Sequence, residues 1–259
     1  MEAPPLDMVF GFEIDTSDAQ AVEDFYGPWL GWTFEPEPAP GADGAALTRI
    51  TAPGAPAPMG QIRQRPAAAE GISLRVESTD VAADAVRLQR LGAKVVTPAA
   101  QDGDGTVRAR ITDPRGNLLT LVAPAGRLSP QAPQAPQPGA MAQFELSTTD
   151  LEATRAFYGT AFGWNFQYDP GSVGTPYHGI QTRGPIPTGG AYDHSGDPQA
   201  PEFATISVLA ADVPATLAGA IALGAKADDE PRSTAYGLVF ARLIDPRGNR
   251  VGLFSLPQG

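Results

Sequence analysis

Few side chains in this sequence could carry chemistry. The only two histidines, His178 and His194, both lie in the C-terminal half. His178 follows Pro176-Tyr177 in a predicted strand, and His194 sits in the predicted loop Asp-His-Ser-Gly. Two imidazoles hold a divalent metal only when further imidazole, carboxylate or thiolate donors converge with them. No cysteine is present, so thiolate sites and disulfides are excluded. Glu13 and Glu145 lie within segments that read as strands, and a single carboxylate in an apolar pocket can be tuned toward neutral pH for acid–base work. Hydroxyls are plentiful, but no nucleophile constellation stands out. The phosphate-cradling pattern GxxxxGK is absent.

The elements that position these residues come as a repeat. Phe12-Glu13 recurs as Phe144-Glu145, Phe25-Tyr26-Gly27 as Phe157-Tyr158-Gly159, and Gly31-Trp32 as Gly163-Trp164. Asp80-Val81 recurs as Asp212-Val213, LGAK at 91–94 as LGAK at 223–226, and DPRGN at 113–117 as DPRGN at 245–249, all at an offset of 132 residues. One register held over so many blocks predicts a tandem duplication. The Pro- and Gln-rich stretch between the copies favours an extended spacer. The expected organisation is a domain over 1–126, a linker over 127–140 and a second domain over 141–259.

Within the first copy, Val9–Ile14 alternates as a strand, with Phe10, Phe12 and Ile14 on one face. Thr16-Ser17-Asp18 caps a helix running through Tyr26. Strands follow near 32–36, 45–50 and 59–63. The pattern restarts with a strand at 72–76, a helix at 80–91 closed by Gly92, and strands near 94–97, 105–112 and 118–122. That is βαβββ twice per domain, an α+β architecture. The second copy repeats it near 141–146, 150–161, 202–208, 212–223, 236–243 and 250–255.

This set of blocks resembles the vicinal oxygen chelate superfamily: Phe-Glu-Ile, Thr-Ser-Asp, Phe-Tyr-Gly, Leu-Gly-Trp, Leu-Gly-Ala-Lys and Asp-Pro-Arg-Gly-Asn in order, over nearly the whole chain. The family includes glyoxalase I, extradiol dioxygenases, fosfomycin-modifying enzymes and bleomycin-binding resistance proteins. The resemblance implies paired βαβββ modules whose sheets curl into a cup. It also implies metal-ligand positions at Gly11, Ser73 and Thr120 in the first domain and Gln143, Thr205 and Gly252 in the second. Neither set supplies an imidazole or a carboxylate, so no metal and no cofactor is expected. Neither histidine falls on such a position. Glu13 and Glu145 share the faces of Gly11 and Gln143 and could act as displaced ligands. The favoured reading pairs Glu13 with Arg75, because buried carboxylates rarely stay unpaired.

What remains is a pocket. The first cup is expected to present Val9, Gly11, Glu13, Arg49, Gln61, Ser73, Arg75, Arg108, Arg110 and Thr120. The second is expected to present Gln143, Glu145, Tyr177, Tyr192, Thr205, Ser207, Gly252 and Phe254, with glycine at a former ligand position leaving room for a ring. Trp29, Trp32, Trp164, Phe166 and Tyr168 divide between core and rim, with core favoured. The net charge of −11 disfavours nucleic acid and anionic membranes and would draw cations, or simply confer solubility. No targeting or membrane-spanning segment is read, so the expected setting is the cytoplasm, as a monomer whose duplication supplies its own pseudo-twofold partner. The expected function is metal-free binding of a small aromatic or cationic molecule, an antibiotic or polyketide-like metabolite, in drug sequestration, self-resistance or biosynthetic support. The alternative is a metal-independent enzyme (lyase, isomerase or hydroxylase component) acting on such a metabolite.

Overall fold

The computed structural model describes residues 8–125, 136–182 and 188–257. The first half runs β1 (Val9–Thr16), α1 (Ala19–Leu30), β2 (Thr33–Pro36), β3 (Ala46–Thr51) and β4 (Gly60–Gln64), then β5 (Gly71–Glu77), α2 (Val81–Arg90), β6 (Lys94–Gln101), β7 (Val107–Thr112) and β8 (Leu118–Ala123). The second half repeats this as β9 (Met141–Thr148), α3 (Leu151–Phe162), β10 (Asn165–Tyr168), β11 (Tyr177–Gln181), β12 (Gly189–Asp193), β13 (Phe203–Leu209), α4 (Val213–Ala222), β14 (Lys226–Ser233), β15 (Val239–Ile244) and β16 (Arg250–Ser255). Each half is βαβββ twice. Most of the linker expected over 127–140 lies outside the described residues.

Local chemistry sets the element boundaries. Among the described residues all four helices open on an aspartate, Asp18, Asp80, Asp150 and Asp212, whose carboxylate accepts from the backbone N–H three residues on. Gly31 and Gly163 close α1 and α3 at φ of 71° and 68°, a conformation costly for any residue with a Cβ.

Each half forms one eight-stranded sheet, ordered β2-β3-β4-β1-β5-β8-β7-β6 and β10-β11-β12-β9-β13-β16-β15-β14. β1 pairs parallel with β4 and antiparallel with β5, so the two modules join along a central seam. Period-two alternation then separates the faces. Phe12, Ile14, Leu74, Val76, Leu119 and Leu121 pack into the core, while Glu13, Ser73, Arg75 and Thr120 point to the other face, the cup. A bulge between Val9 and Gly11 reverses the expected order at the strand's start. Val9 packs against the core, and Phe10 lies under the Arg75 guanidinium, 4.8 Å from its carbon. The extra residue flips the alternation that sequence alone projects straight through.

The repeated motifs lock the halves together. Tyr26 Oη donates to Asp245 Oδ2 at 2.8 Å, and Tyr158 Oη donates to Asp113 Oδ2 at 2.9 Å. The Phe-Tyr-Gly tyrosine of each half therefore bonds the Asp-Pro-Arg-Gly-Asn aspartate of the other. Each tyrosine also stacks on the tryptophan of its own half, Tyr26 on Trp32 at 4.7 Å and Tyr158 on Trp164 at 4.8 Å. Two ion pairs, Arg115–Glu202 and Arg247–Glu70, repeat across the same interface.

Candidate functional site

The same carboxylate stands at the floor of both cups, in opposite surroundings. In the first cup Glu13 is fully buried. Arg108 Nη1 donates to its Oε1 at 2.9 Å and Thr120 Oγ1 to its Oε2 at 2.9 Å; Arg63 Nε is 3.7 Å away. Arg75, the partner expected from sequence, is farther, at 4.0 Å. Arg108 reaches Glu13 more directly because it comes across the cup from β7, and it also bonds Gln61 and Asp102. Arg110 pairs with Asp15, and Arg63 with Asp43. Burial pushes Glu13 up, but Arg75, Arg108, Arg63 and Arg110 together outweigh it and hold the carboxyl below its usual range. Burial pulls Arg75 down to about 10, against the opposing pull of Glu13. The space left is about 20 Å³, on the order of one water molecule. Ions plug the first cup.

In the second cup the groups that contact Glu13 are replaced, while Arg110 is matched by another arginine, Arg242. The strand registers match Arg63 with Tyr192, Arg75 with Ser207, Arg108 with Phe240, Thr120 with Gly252, and Gln61 with Gly190. Arg49 is matched by Gly179. The result is a cavity of about 350 Å³ lined by Gln143, Glu145, Tyr168, Asp169, Tyr177, Tyr192, Tyr236, Phe240 and Phe254 among others. Tyr177 and Tyr192 meet edge to face at 4.9 Å, and Tyr236 Oη donates to Asp169 Oδ2 at 2.6 Å at the mouth.

Glu145 is 5 % exposed. Tyr192 Oη donates weakly to its Oε1 at 3.4 Å, while Oε2 has no hydrogen-bond partner among the described residues. Ser207 Oγ stands nearby, and both atoms crowd the point where a Cβ on Gly252 would stand, at 2.3 and 2.9 Å. Burial drives the Glu145 carboxyl up to about 7, only partly countered by Arg242 and the neighbouring hydroxyls of Ser207 and Tyr192. Arg242 itself is taken up by Asp228 and Asp229 and stacks over Tyr192 at 4.5 Å.

Residues 11–122 match the model of a glyoxalase-like domain, and residues 141–173 that of a bleomycin resistance protein-like N-terminal domain. The glyoxalase of Novosphingobium aromaticivorans, solved with Mn(II), superposes at a TM-score of 0.62 over 96 % of this chain and 83 % of its own, at 18 % identity. Homoprotocatechuate 2,3-dioxygenase of Arthrobacter globiformis gives 0.65 over 99 % and 82 %, at 16 % identity. The chain has the tandem vicinal oxygen chelate fold, with a glyoxalase-like domain in its first half. A Mycobacterium tuberculosis protein named provisionally as a glyoxylase, CFP32, is 28 % identical over 91 % of this chain and 90 % of its own.

The metal positions of a vicinal oxygen chelate protein do not fit a transition metal here. A Cβ on Gly11 would meet the Met59 carbonyl oxygen at 2.4 Å, so that place is filled by backbone. Ser73 Oγ donates to Thr120 Oγ1 at 3.3 Å, since the Thr120 hydroxyl itself donates to Glu13. Thr205 Oγ1 donates to the Arg250 carbonyl, and Gly252 offers no donor. Among the described residues no three His, Cys, Asp or Glu side chains gather. Nor do the glycines open room for a ring. The Gly11 space holds the Met59 carbonyl, and the Gly252 space holds Ser207 and Glu145.

Of the predicted site residues, Gln143, Glu145, Tyr177, Tyr192 and Phe254 come together around the aromatic cavity, whereas Gly11, Glu13, Ser73, Arg75 and Thr120 belong to the plugged cup. Thr205 borders a groove between the two sheets. Trp32, Trp164 and Phe166 are core, while Tyr168 is 59 % exposed and walls the cavity. His178 is buried beside Tyr168, and His194 lies in its loop. Sequence reading missed Asp169, Tyr236, Leu238 and Phe240. Phe240 had a signal: the 132-residue offset sets it on Arg108. The others lie on loops whose path no periodicity reveals.

Proposed function

We propose that this protein binds one small organic molecule per chain, in the aromatic cup of its second domain and without a metal ion. The observation that carries the reading is the contrast between the cups. A carboxylate neutralised by arginines in one half keeps, in the other, one oxygen without a hydrogen-bond partner among the described residues, under a vault of tyrosine and phenylalanine rings. Aromatic rings in offset or edge-on contact contribute on the order of 1 kcal/mol each beyond burial, and the walls would bury most of a two-ring ligand. Sequestration of an aromatic antibiotic or polyketide-like metabolite, for self-protection or biosynthetic support, is the role this site would serve, in the cytoplasm and as a monomer.

A carboxyl raised to about 7 beside Tyr192 also suits general acid–base chemistry, which is the enzyme reading. One experiment separates them. The dialysed protein is incubated with a panel of amphipathic aromatic antibiotics, binding is measured by calorimetry, and each compound is recovered and identified by mass spectrometry. Binding at one site with the compound returned unchanged supports sequestration. A converted compound supports the enzyme. Stoichiometric zinc, iron, nickel or manganese retained after dialysis would overturn the metal-free reading.

A further inference from the structure

The ligand class can be narrowed from the charges around the cavity, on the footing that the second cup is the binding site. Among the described residues eighteen line it, with two carboxylates, Glu145 and Asp169, and no lysine, arginine or histidine. Asp169 accepts from the Tyr236 hydroxyl at the mouth, so its charge is already solvated by the protein. Glu145 is different. It is buried at the floor, its Oε2 has no hydrogen-bond partner among the described residues, and the cation that bears on it, Arg242, lies over the Tyr192 ring and is engaged by Asp228 and Asp229. A buried carboxylate oxygen left without a partner is an unfavourable arrangement that a ligand donor can relieve.

Around that oxygen stand Tyr177, Tyr192, Phe240 and Phe254, with Tyr168 and Tyr236 toward the mouth. Ring faces attract cations, by about 0.5–2 kcal/mol each depending on desolvation. Rings alone would accept any planar hydrocarbon. Rings closed over one unneutralised carboxylate discriminate by charge.

We infer that the second cup selects planar aromatic molecules bearing a protonated amine, with the ammonium directed at Glu145 Oε2 and the ring held between the aromatic walls. The first cup, whose four arginines already neutralise Glu13 and its neighbours, takes no such molecule.

The test uses three probes of one shape on the full chain: 2-naphthylmethylamine, 2-naphthylmethanol and 2-naphthoic acid, titrated calorimetrically at neutral pH. The amine is expected to bind at a stoichiometry of one, at least about tenfold tighter than the alcohol, because a charge-assisted hydrogen bond to a buried carboxylate is worth a factor of that order. The acid is expected to bind weakest. In Glu145→Gln the preference for amine over alcohol is expected to fall to within about twofold while the alcohol still binds. Equal affinity of amine and alcohol in the unaltered protein, or a preference surviving Glu145→Gln, would overturn the ammonium assignment and leave the binding reading standing. Failure of all three to bind would overturn both. Should Glu145→Gln not fold, the comparison of the three probes on the unaltered chain decides alone.

Discussion

Glu145 should make the protein less stable as pH rises, and replacing it should make the protein more stable. Its carboxyl is raised to about 7 from an ordinary 4.5, with burial the leading cause. Below pH 4.5 the group is protonated in the folded and the unfolded chain, and it costs nothing. Between 4.5 and 7 the unfolded chain ionises first, so folding loses up to about 1.4 kcal/mol per pH unit. Over that window the loss is roughly 3 kcal/mol, and it is constant above the folded value. Glu145→Gln removes the ionisation while keeping the shape. The variant should match the parent near pH 4 and exceed it by about 3 kcal/mol at pH 8. Several other carboxyls move the opposite way, Glu13, Glu70 and Glu202 being held low by their partners, while burial raises Asp15, so the quantity to measure is the difference between variant and parent. Urea unfolding followed by tryptophan fluorescence at pH 4, 5.5, 7 and 8 supplies it. A difference that does not change with pH, or a parent more stable than the variant at pH 8, would refute the claim that this carboxylate is buried without compensation.

The remaining expectations concern its twin and its surroundings. Glu13→Gln should destabilise at neutral pH, by on the order of 3 kcal/mol, because it leaves Arg108 and Arg63 buried against a neutral amide; the same urea melts read it. Tyr26→Phe and Tyr158→Phe should each lower Tm by about 3–6 °C, from a lost hydrogen bond of about 1.5 kcal/mol to a buried aspartate, and the two should add; calorimetric scans check both. Gly190→Ala places a Cβ 1.7 Å from Tyr177 Oη, so the phenol must swing out of the cavity wall. Binding of 2-naphthylmethylamine should weaken at least about tenfold, with Tm little changed.

How much of this was legible in the sequence follows from which forces set each feature. The fold was legible because it is written locally and twice: four aspartate caps, two left-handed glycines and period-two strands recur at one offset, and each signal acts within a few residues of itself. The bulge at Val9–Gly11 was not legible, since an extra residue obeys the pairing of β1 with β5 and leaves no mark in composition. The site was half legible. Alternation put Glu13 and Glu145 on the cup face, but which arginine reaches Glu13 depends on side-chain length and on how far the sheet curls, so Arg75 was favoured where Arg108 makes the shorter contact. The loops carrying Asp169 and Tyr236 close the second cup through a contact between residues 67 apart.

Yet the chemical difference between the cups was present in the repeat itself. The two copies agree wherever a residue caps a helix, turns the chain or joins the halves, as Asp18, Gly31, Tyr26 and Asp113 do. They disagree around the one carboxylate both retain, where Arg63, Arg75, Arg108 and Thr120 face Tyr192, Ser207, Phe240 and Gly252. The loss of three guanidinium groups and one hydroxyl around one retained acid is unfavourable for stability at neutral pH, in keeping with the raised Glu145 carboxyl. Folding alone gives no reason to keep an uncompensated charge there, because an apolar residue or a glutamine would be cheaper. A ligand that supplies the missing donor gives one. On the proposed function, the copy that holds its carboxylate in an arginine cage contributes stability, and the copy that lost the cage takes the ligand.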